Sequence, residues 1–526
     1  MRESSTTQKG ARRREDDIFT NNTFISESIA SRTKLNTWNS APKSQRKRGA
    51  DHHPAPRQDF FSGDYCPSFT AFAPTTTATM EYLVRFSQAH ESFRLPELQA
   101  LADLEGIQMK VVEYSAETPF CIITLPSPDD APRLVARSLL TQSIHALWAS
   151  STTYPSLHET LKSLFPSSTP PPTPLWSPSY ATASFRFNLD TYQTTRPHAD
   201  FIALINSFKY LPLAGPIRMK SPDIEFTLFE DWDLHGLAPK RIYLARLLGT
   251  GARHLSLTYD LKKRGYISTT SMDSELALVT ANLAHAAPGK LFYDPFVGTG
   301  SFPIACAHFG ALGFGSDIDG RCIRGAGGER SVLGNFAQYG LRHRVGEFWT
   351  ADLTNTPVVR SGKRRWLDGI VCDPPYGVRE GLRVLGCRDP EKTPWVVEAG
   401  KTRYKDKDFI APKKPYSFLA MLNDILEFAG DTLVDGGRLS FWMPTANDEE
   451  QEIPVPEHPR LELVVICVQP FNKWSRRLIT YRRIPDSQVD PERLAAYKRT
   501  FVEGTTADEL NPFRRGYFTK FEKEEA

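Results

Sequence analysis

Four apolar runs in the second half of the chain each finish on an aspartate: "KLFYD" at Asp294, "GALGFGSD" at Asp317, "RVGEFWTAD" at Asp352 and "WLDGIVCD" at Asp373. Short, unbroken apolar runs separated by helix-like stretches are the mark of strands buried on both faces of a parallel sheet. A single aspartate at such a strand end reads as a helix cap. Four of them converge on the carboxyl edge of one sheet, which is where open α/β sheets bind ligands.

The residues after each run add chemistry. Asp294 opens "DPFVGTGS", so a turn carrying Gly298 and Gly300 leads into a helix from about Ser301. Such a strand–turn–helix brings a ligand close to backbone at a helix N-terminus. It is not a dinucleotide fingerprint, because Phe296 stands where that motif needs glycine. Asp317 follows the glycines by about 20 residues, the place from which a carboxylate accepts both ribose hydroxyls of a nucleoside. Asp373 opens "DPPYG", and proline cannot donate to a ladder, so the strand stops there. Taken alone, the tetrapeptide is explained equally well as a Pro-rich turn with an Asp cap. Together with the other three strand ends it excludes a dehydrogenase and resembles the S-adenosylmethionine-dependent amino-methyltransferases. An exocyclic amine on a nucleobase is a poor nucleophile because its lone pair is delocalised. Asp373, with the Pro374 carbonyl, can accept from both N–H groups and localise that lone pair; Pro375 stiffens the turn, and Tyr376 can stack on a base drawn out of its helix.

A closer resemblance runs through roughly residues 80–526. "SPDIEFTLFEDW", "DLKKRGYISTTSMDSELALVTANLA", the glycine turn, "GVREGLRVLG" and "NKWSRRLITY" are similar to the catalytic subunit of the eukaryotic tRNA (guanine-10 N2)-methyltransferase family. The resemblance implies a THUMP-type RNA-binding α+β region followed by a Rossmann-like α/β methyltransferase sheet, with S-adenosyl-L-methionine as cofactor and tRNA as substrate. Carried over by motif, Thr270, Ser271, Asp273 and Glu275 help enclose the cofactor. Asp294, Phe296, Gly298 and Gly300 meet its methionine part, Asp317 its ribose and Asp352 its adenine amine. The family also works with a small zinc-binding activator protein, so a heterodimer is expected. Residues 345–351, "VGEFWTA", form the third strand and in the usual order lie at the sheet edge. With Phe348 and Trp349 and only Glu347 as a charge, that edge invites strand addition. Two other functions stay open: N6 methylation of adenine in RNA or DNA, which the D-P-P-Y turn serves equally well, and a non-catalytic RNA-binding scaffold. The intact Asp294, Asp317 and Asp373 set speaks against the scaffold. A glutamine-methylating enzyme is disfavoured, because that group typically carries Asn where Asp373 stands.

Composition bounds the rest. Lys+Arg number 64 against 61 Asp+Glu, so any nucleic-acid surface must be local. Candidates are Arg218 and Lys220 in "IRMKSPD", Lys262, Lys263 and Arg264 in "LKKRG", and Lys473, Arg476 and Arg477 in "NKWSRR". Each also reads as a solvated charged face. The seven cysteines form no C-x-x-C pair, which excludes a structural zinc site and a disulfide scaffold and suits the cytoplasm. No apolar run approaches the ~20 residues of a membrane span. Residues 1–79 lack apolar periodicity and read as a disordered extension, with Met80 a candidate initiator. Residues 80–250 form the RNA-binding region, interrupted by a Pro-rich insert at 165–179. The methyltransferase region runs over 251–485, and 486–526 is a helical tail.

Overall fold

The structure, a computed structural model, describes residues 80–514 apart from 167–171, 360–364, 379–380, 387–396, 399–400, 403–410, 447–452, 472–473, 500–503, 505, 508 and 512. The expected disordered extension over 1–79 lies outside the described residues.

The first half builds a seven-stranded sheet from β1 (Glu81–Phe86), β2 (Lys110–Tyr114), β3 (Phe120–Thr124), β4 (Thr141–Ser151), β5 (Phe185–Tyr192), β6 (Ile224–Trp232) and β7 (Pro239–Thr250), in the order β2-β3-β1-β4-β7-β6-β5. Its pairings are antiparallel except β5 with β6. Period-two alternation sorts β1 between two cores: Tyr82, Val84 and Phe86 face one and Leu83 the other. The helix after β1, α1 (Glu91–Glu105), ends at Gly106, whose φ of 67° only glycine adopts freely. The Pro-rich stretch at 165–179 is more than an inserted loop. Phe165 and Trp176 are buried against Trp148, so both flanks of the stretch belong to the core.

The second half builds another seven-stranded sheet: β8 (Leu291–Asp294), β9 (Leu312–Asp317), β10 (Val345–Thr350), β11 (Leu367–Cys372), β12 (Leu433–Ala446), β13 (Leu461–Pro470) and β14 (Trp474–Arg483), ordered β10-β9-β8-β11-β12-β14-β13. The five strands from β10 to β12 pair in parallel, and β14 and β13 add antiparallel. Strand order reverses between β8 and β11, the switch point at which such sheets open a crevice. One face is covered by α2 (Ser274–Leu283) and α3 (Ser301–His308), the other by α4 (Phe418–Thr432).

The two halves share buried contacts. Glu97 of α1, fully buried, accepts from Ser138 Oγ at 2.7 Å, from the Leu139 and Leu140 N–H groups at 2.9 Å, and from Asn282 Nδ2 of α2 at 2.7 Å. Four donors are what a buried carboxylate needs to offset its desolvation. Phe93 of α1 stacks on Trp442 of β12, with ring centroids 5.8 Å apart.

β10 does form an edge of the sheet, as expected. Its aromatic side chains do not line that edge: Phe348 is buried against Phe336, and Trp349 stacks on Tyr293. Alternation sends them into the layers above and below, so what β10 offers outward is backbone. In the tail, the described helix is short, Pro491–Ala496. Leu510 and Phe513 beyond it are buried, and the Leu510 carbonyl accepts from the Phe418 N–H at 3.0 Å.

Candidate active site

At the end of β8, Asp294 is buried and its Oδ1 accepts from the Phe296 N–H at 2.9 Å, which starts the turn. Gly298 (φ 48°) and Gly300 (φ 87°) carry the chain through left-handed backbone into α3. A side chain at Gly300 would also collide with Val332, 3.0 Å from where a Cβ would sit. Asp317, ending β9, is fixed by backbone: Oδ2 accepts from the Gly298 N–H at 3.0 Å and Oδ1 from the Asp319 N–H at 2.8 Å, one bond to each oxygen. Residues 266–272 run alongside. Ser271 and Thr299 hydroxyls bond at 2.7 Å, and the buried Asn335 ties the two segments together. Its Oδ1 accepts from the Tyr266 N–H at 3.0 Å, while its Nδ2 donates to the Tyr266 and Thr299 carbonyls at 2.7 and 3.1 Å.

The D-P-P-Y turn follows β11, which pairs directly with β8. Its backbone is gripped from the C-terminal segment: Asn511 Nδ2 donates to the Tyr376 carbonyl at 2.7 Å, and Arg514 donates to the Val378 carbonyl. The turn's own polar atoms are treated differently. Asp373 Oδ1 and the Tyr376 hydroxyl are both buried, and neither makes a hydrogen bond of normal geometry. The glycine turn, residues 266–272 and the D-P-P-Y turn enclose a cavity of about 440 Å³ lined by Asp294, Asp317 and Asp373 among others. Burial pushes all three carboxyl groups up: Asp294 well above the ordinary range, with the Asp317 and Asp373 charges adding to it, Asp317 less far, and Asp373 to about 6, with Tyr376 and then Arg476 opposing the rise. A cavity ringed by carboxylates that cost energy to ionise suits a ligand with a positive centre.

Comparison with known proteins fits this geometry. Residues 80–253 match the Tmrp11 THUMP N-terminal domain, and residues 262–383 match the RMKL-like methyltransferase domain. The tRNA (guanine(10)-N(2))-methyltransferase of Saccharomyces cerevisiae is 40% identical over 412 residues, covering 76% of this chain and 92% of that protein. The chain belongs to the tRNA (guanine(10)-N2)-methyltransferase family. The protein of that name from Schizosaccharomyces pombe is 36% identical over 83% of this chain and 96% of its own length, and the human one 34% over 77% and 88%.

For this member of the tRNA (guanine(10)-N2)-methyltransferases, the fold brings many of the expected site residues to one place. Thr270, Ser271, Asp294, Phe296, Gly298, Asp317 and the whole of Asp373, Pro374, Pro375 and Tyr376 line the cavity, and Gly300 caps α3 beside it. Three expected acidic residues do not reach it. Asp273 caps α2, accepting from the Glu275 and Leu276 N–H groups, and Glu275 pairs with Arg253 at 3.2 Å. Asp352 is buried, and its oxygens accept from the Thr354 and Leu385 N–H groups at 3.0 and 2.6 Å. The expected RNA-binding set also divides. Arg218, Lys220, Lys262 and Lys263 are exposed. Arg264 is buried and donates to Ser301 Oγ at 2.8 Å, and Arg477 is buried with the Ile453 carbonyl. Both are built into the fold, because a guanidinium withdrawn from water must satisfy its donors inside. Arg476 is half-buried against Trp442, and Lys473 lies outside the described residues. Asn335 and Asn511 escape sequence reading altogether. Each is a single amide whose partners at the site, Tyr266 and Thr299 for Asn335 and the Tyr376 carbonyl for Asn511, are distant in the chain, which leaves no local signal.

Proposed function

We propose that this chain methylates the exocyclic N2 amine of a guanosine in tRNA, position 10 by family, with S-adenosyl-L-methionine as methyl donor. The observation that carries this is Asp373: a buried carboxylate with one oxygen that makes no hydrogen bond of normal geometry among the described residues, at the end of an acidic cavity, immediately before two prolines and a tyrosine. A lone pair kept dry and unpaired is costly unless a substrate donor completes it.

The cavity fits the cofactor. Three carboxyl groups line it, which suits a ligand with a positive centre, and the glycine turn leaves backbone where side chains would intrude. Asp294, Phe296, Gly298 and Gly300 with Thr270 and Ser271 would hold the methionine part, and Asp317 the ribose. Asp273 and Glu275 would act by seating α2, and Asp352 by anchoring Leu385 rather than by touching adenine. When bound, the cofactor supplies an electrophilic methyl group. The chain's part is to make the amine nucleophilic. Asp373 and the Pro374 carbonyl accept from its two N–H groups, which turns the nitrogen lone pair out of the guanine ring and gives the departing proton an acceptor. Tyr376 offers its ring to the base, and the Asn511 bond to its carbonyl holds the turn still. Exposed Arg218, Lys220, Lys262 and Lys263 would meet phosphates.

We also infer that the zinc-binding activator docks along β10, whose outward backbone has no neighbouring strand among the described residues. Co-expression should raise both yield and activity and protect the amides of 345–350 from exchange. A fully active, well-behaved chain purified alone would contradict this.

The test of the activity is nucleoside mass spectrometry of tRNA incubated with the protein and methyl-labelled cofactor. Labelled N2-methylguanosine is expected. Label in N6-methyladenosine, or none with the activator present, would overturn the reading.

A further inference from the structure

An ionised Asp373 is what this chemistry needs, and burial works against it. The groups that face it are few. Cys372 at the end of β11, the Tyr376 hydroxyl of its own turn and Asp294 of β8 face it, while Arg514 of the C-terminal segment is engaged with the Val378 carbonyl instead. β14 contributes Arg476. Cys372 is forced towards its neutral form by burial, and Asp294 carries the same sign of charge as Asp373.

We propose that Arg476 is a positioning residue for the reaction: a guanidinium clamped beside the D-P-P-Y turn that keeps the Asp373 carboxylate charged for the substrate amine. This rests on the role of Asp373 given above. β14 reaches the turn through Trp474, two residues before Arg476, whose ring meets that of Tyr376 with centroids 6.3 Å apart. Cys372, the residue before Asp373, pairs with Phe441 of β12, and Arg476 of β14 sits opposite Pro444, three residues further along the same strand. From there the guanidinium lies over the Trp442 indole, its centre 4.7 Å from the ring, and 5.7 Å from the ring of Phe471. Nε donates to Gln469 Oε1 at 2.5 Å. Trp442 is itself fully buried, donates from Nε1 to Thr280 Oγ1 at 3.2 Å and is stacked by Phe93. The cation is thus fixed through three neighbours before any RNA arrives, in contrast to the exposed Lys262. A phosphate contact has no need of such a clamp. A charge that must act on one buried carboxylate does, because the field of a mobile surface cation is screened by water. Its charge bears on both Asp373 and Tyr376 and opposes the effect of burial at each.

The experiment is the pH profile of kcat for the full chain with its activator, tRNA and saturating cofactor, for wild type, Arg476→Gln and Arg476→Lys, with thermal unfolding confirming that each variant is folded. Wild type should lose activity as pH falls through about 6, because Asp373 takes up its proton there. Arg476→Gln should move that midpoint up by about one pH unit, a shift ordinary for loss of one opposite charge. Its KM for tRNA should stay within about threefold of wild type, and Arg476→Lys should return the midpoint most of the way. An unmoved midpoint with a raised KM and a shallower salt dependence would make Arg476 a phosphate contact and overturn the inference. Equal loss at every pH in both variants would overturn it in favour of a purely structural role. Asp373→Asn run alongside separates the two claims. Full activity in that variant removes Asp373 from the reaction, whereas an inactive Asp373→Asn beside an unshifted Arg476→Gln removes only Arg476.

Discussion

Asp317 and Asp373 end strands that flank the same neighbour, β8, line the same cavity, and are both pushed above the ordinary carboxylate range by burial. Asp317 is finished: each oxygen already accepts a backbone N–H, and those bonds shape the glycine turn. Asp373 is unfinished: one of its oxygens and the Tyr376 hydroxyl beside it are buried without a hydrogen bond of normal geometry among the described residues. A group satisfied by its own fold holds a ligand by presenting remaining lone pairs from a fixed frame. A group left unsatisfied has room for a further donor, and on the function proposed above the substrate amine would supply it.

The largest effect that separates the two ends is on turnover. Asp373→Ala should lower methyl transfer by about 10²- to 10³-fold, the loss expected for removing one preorganised electrostatic partner, as read in single-turnover assays. Asp317→Ala should instead raise the cofactor dissociation constant by roughly tenfold to a hundredfold in calorimetry, since charge-assisted hydrogen bonds are lost and the glycine turn is loosened. Equal effects of the two changes on affinity would erase the distinction between the ends.

A smaller contrast lies in stability. The folded-state pKa of Asp373 is raised, so its carboxyl binds a proton more readily folded than unfolded. That contribution is present at low pH and is lost as pH rises through about 6. Asp373→Asn should therefore raise the melting temperature at pH 7.5, with the gain vanishing near pH 4. Burial raises the Asp317 carboxyl as well, but its oxygens hold two backbone N–H groups and an amide can no longer accept at both positions, so Asp317→Asn should gain less at pH 7.5, by the worth of that bond, about 1 kcal/mol. Thermal unfolding at both pH values checks the difference. Asn335→Ala, which unties Tyr266 from Thr299, should weaken cofactor binding by only several-fold, the smallest of these effects.

What could be read in the sequence followed the chain locally. Parallel strands buried on both faces are continuous apolar runs, so their ends, and with them Asp294, Asp317 and Asp373, stand out. What could not be read depended on folding partners far away. "LKKRG" holds two exposed lysines and one arginine turned inward onto Ser301, 37 residues on, and nothing in the run distinguishes them. Asp352 matches its siblings by pattern, yet the Leu385 N–H, 33 residues later, claims one of its oxygens. Phe348 and Trp349 announce an edge strand but not which way its side chains turn.

The measurement that goes most directly to the central claim is labelled-cofactor occupancy and methyl release on one preparation of Asp373→Ala, held with excess tRNA. The account predicts a fully occupied cavity, with a cofactor dissociation constant within about threefold of wild type, and label that stays on the protein instead of passing to guanosine. An empty cavity, or transfer at the wild-type rate, would contradict it.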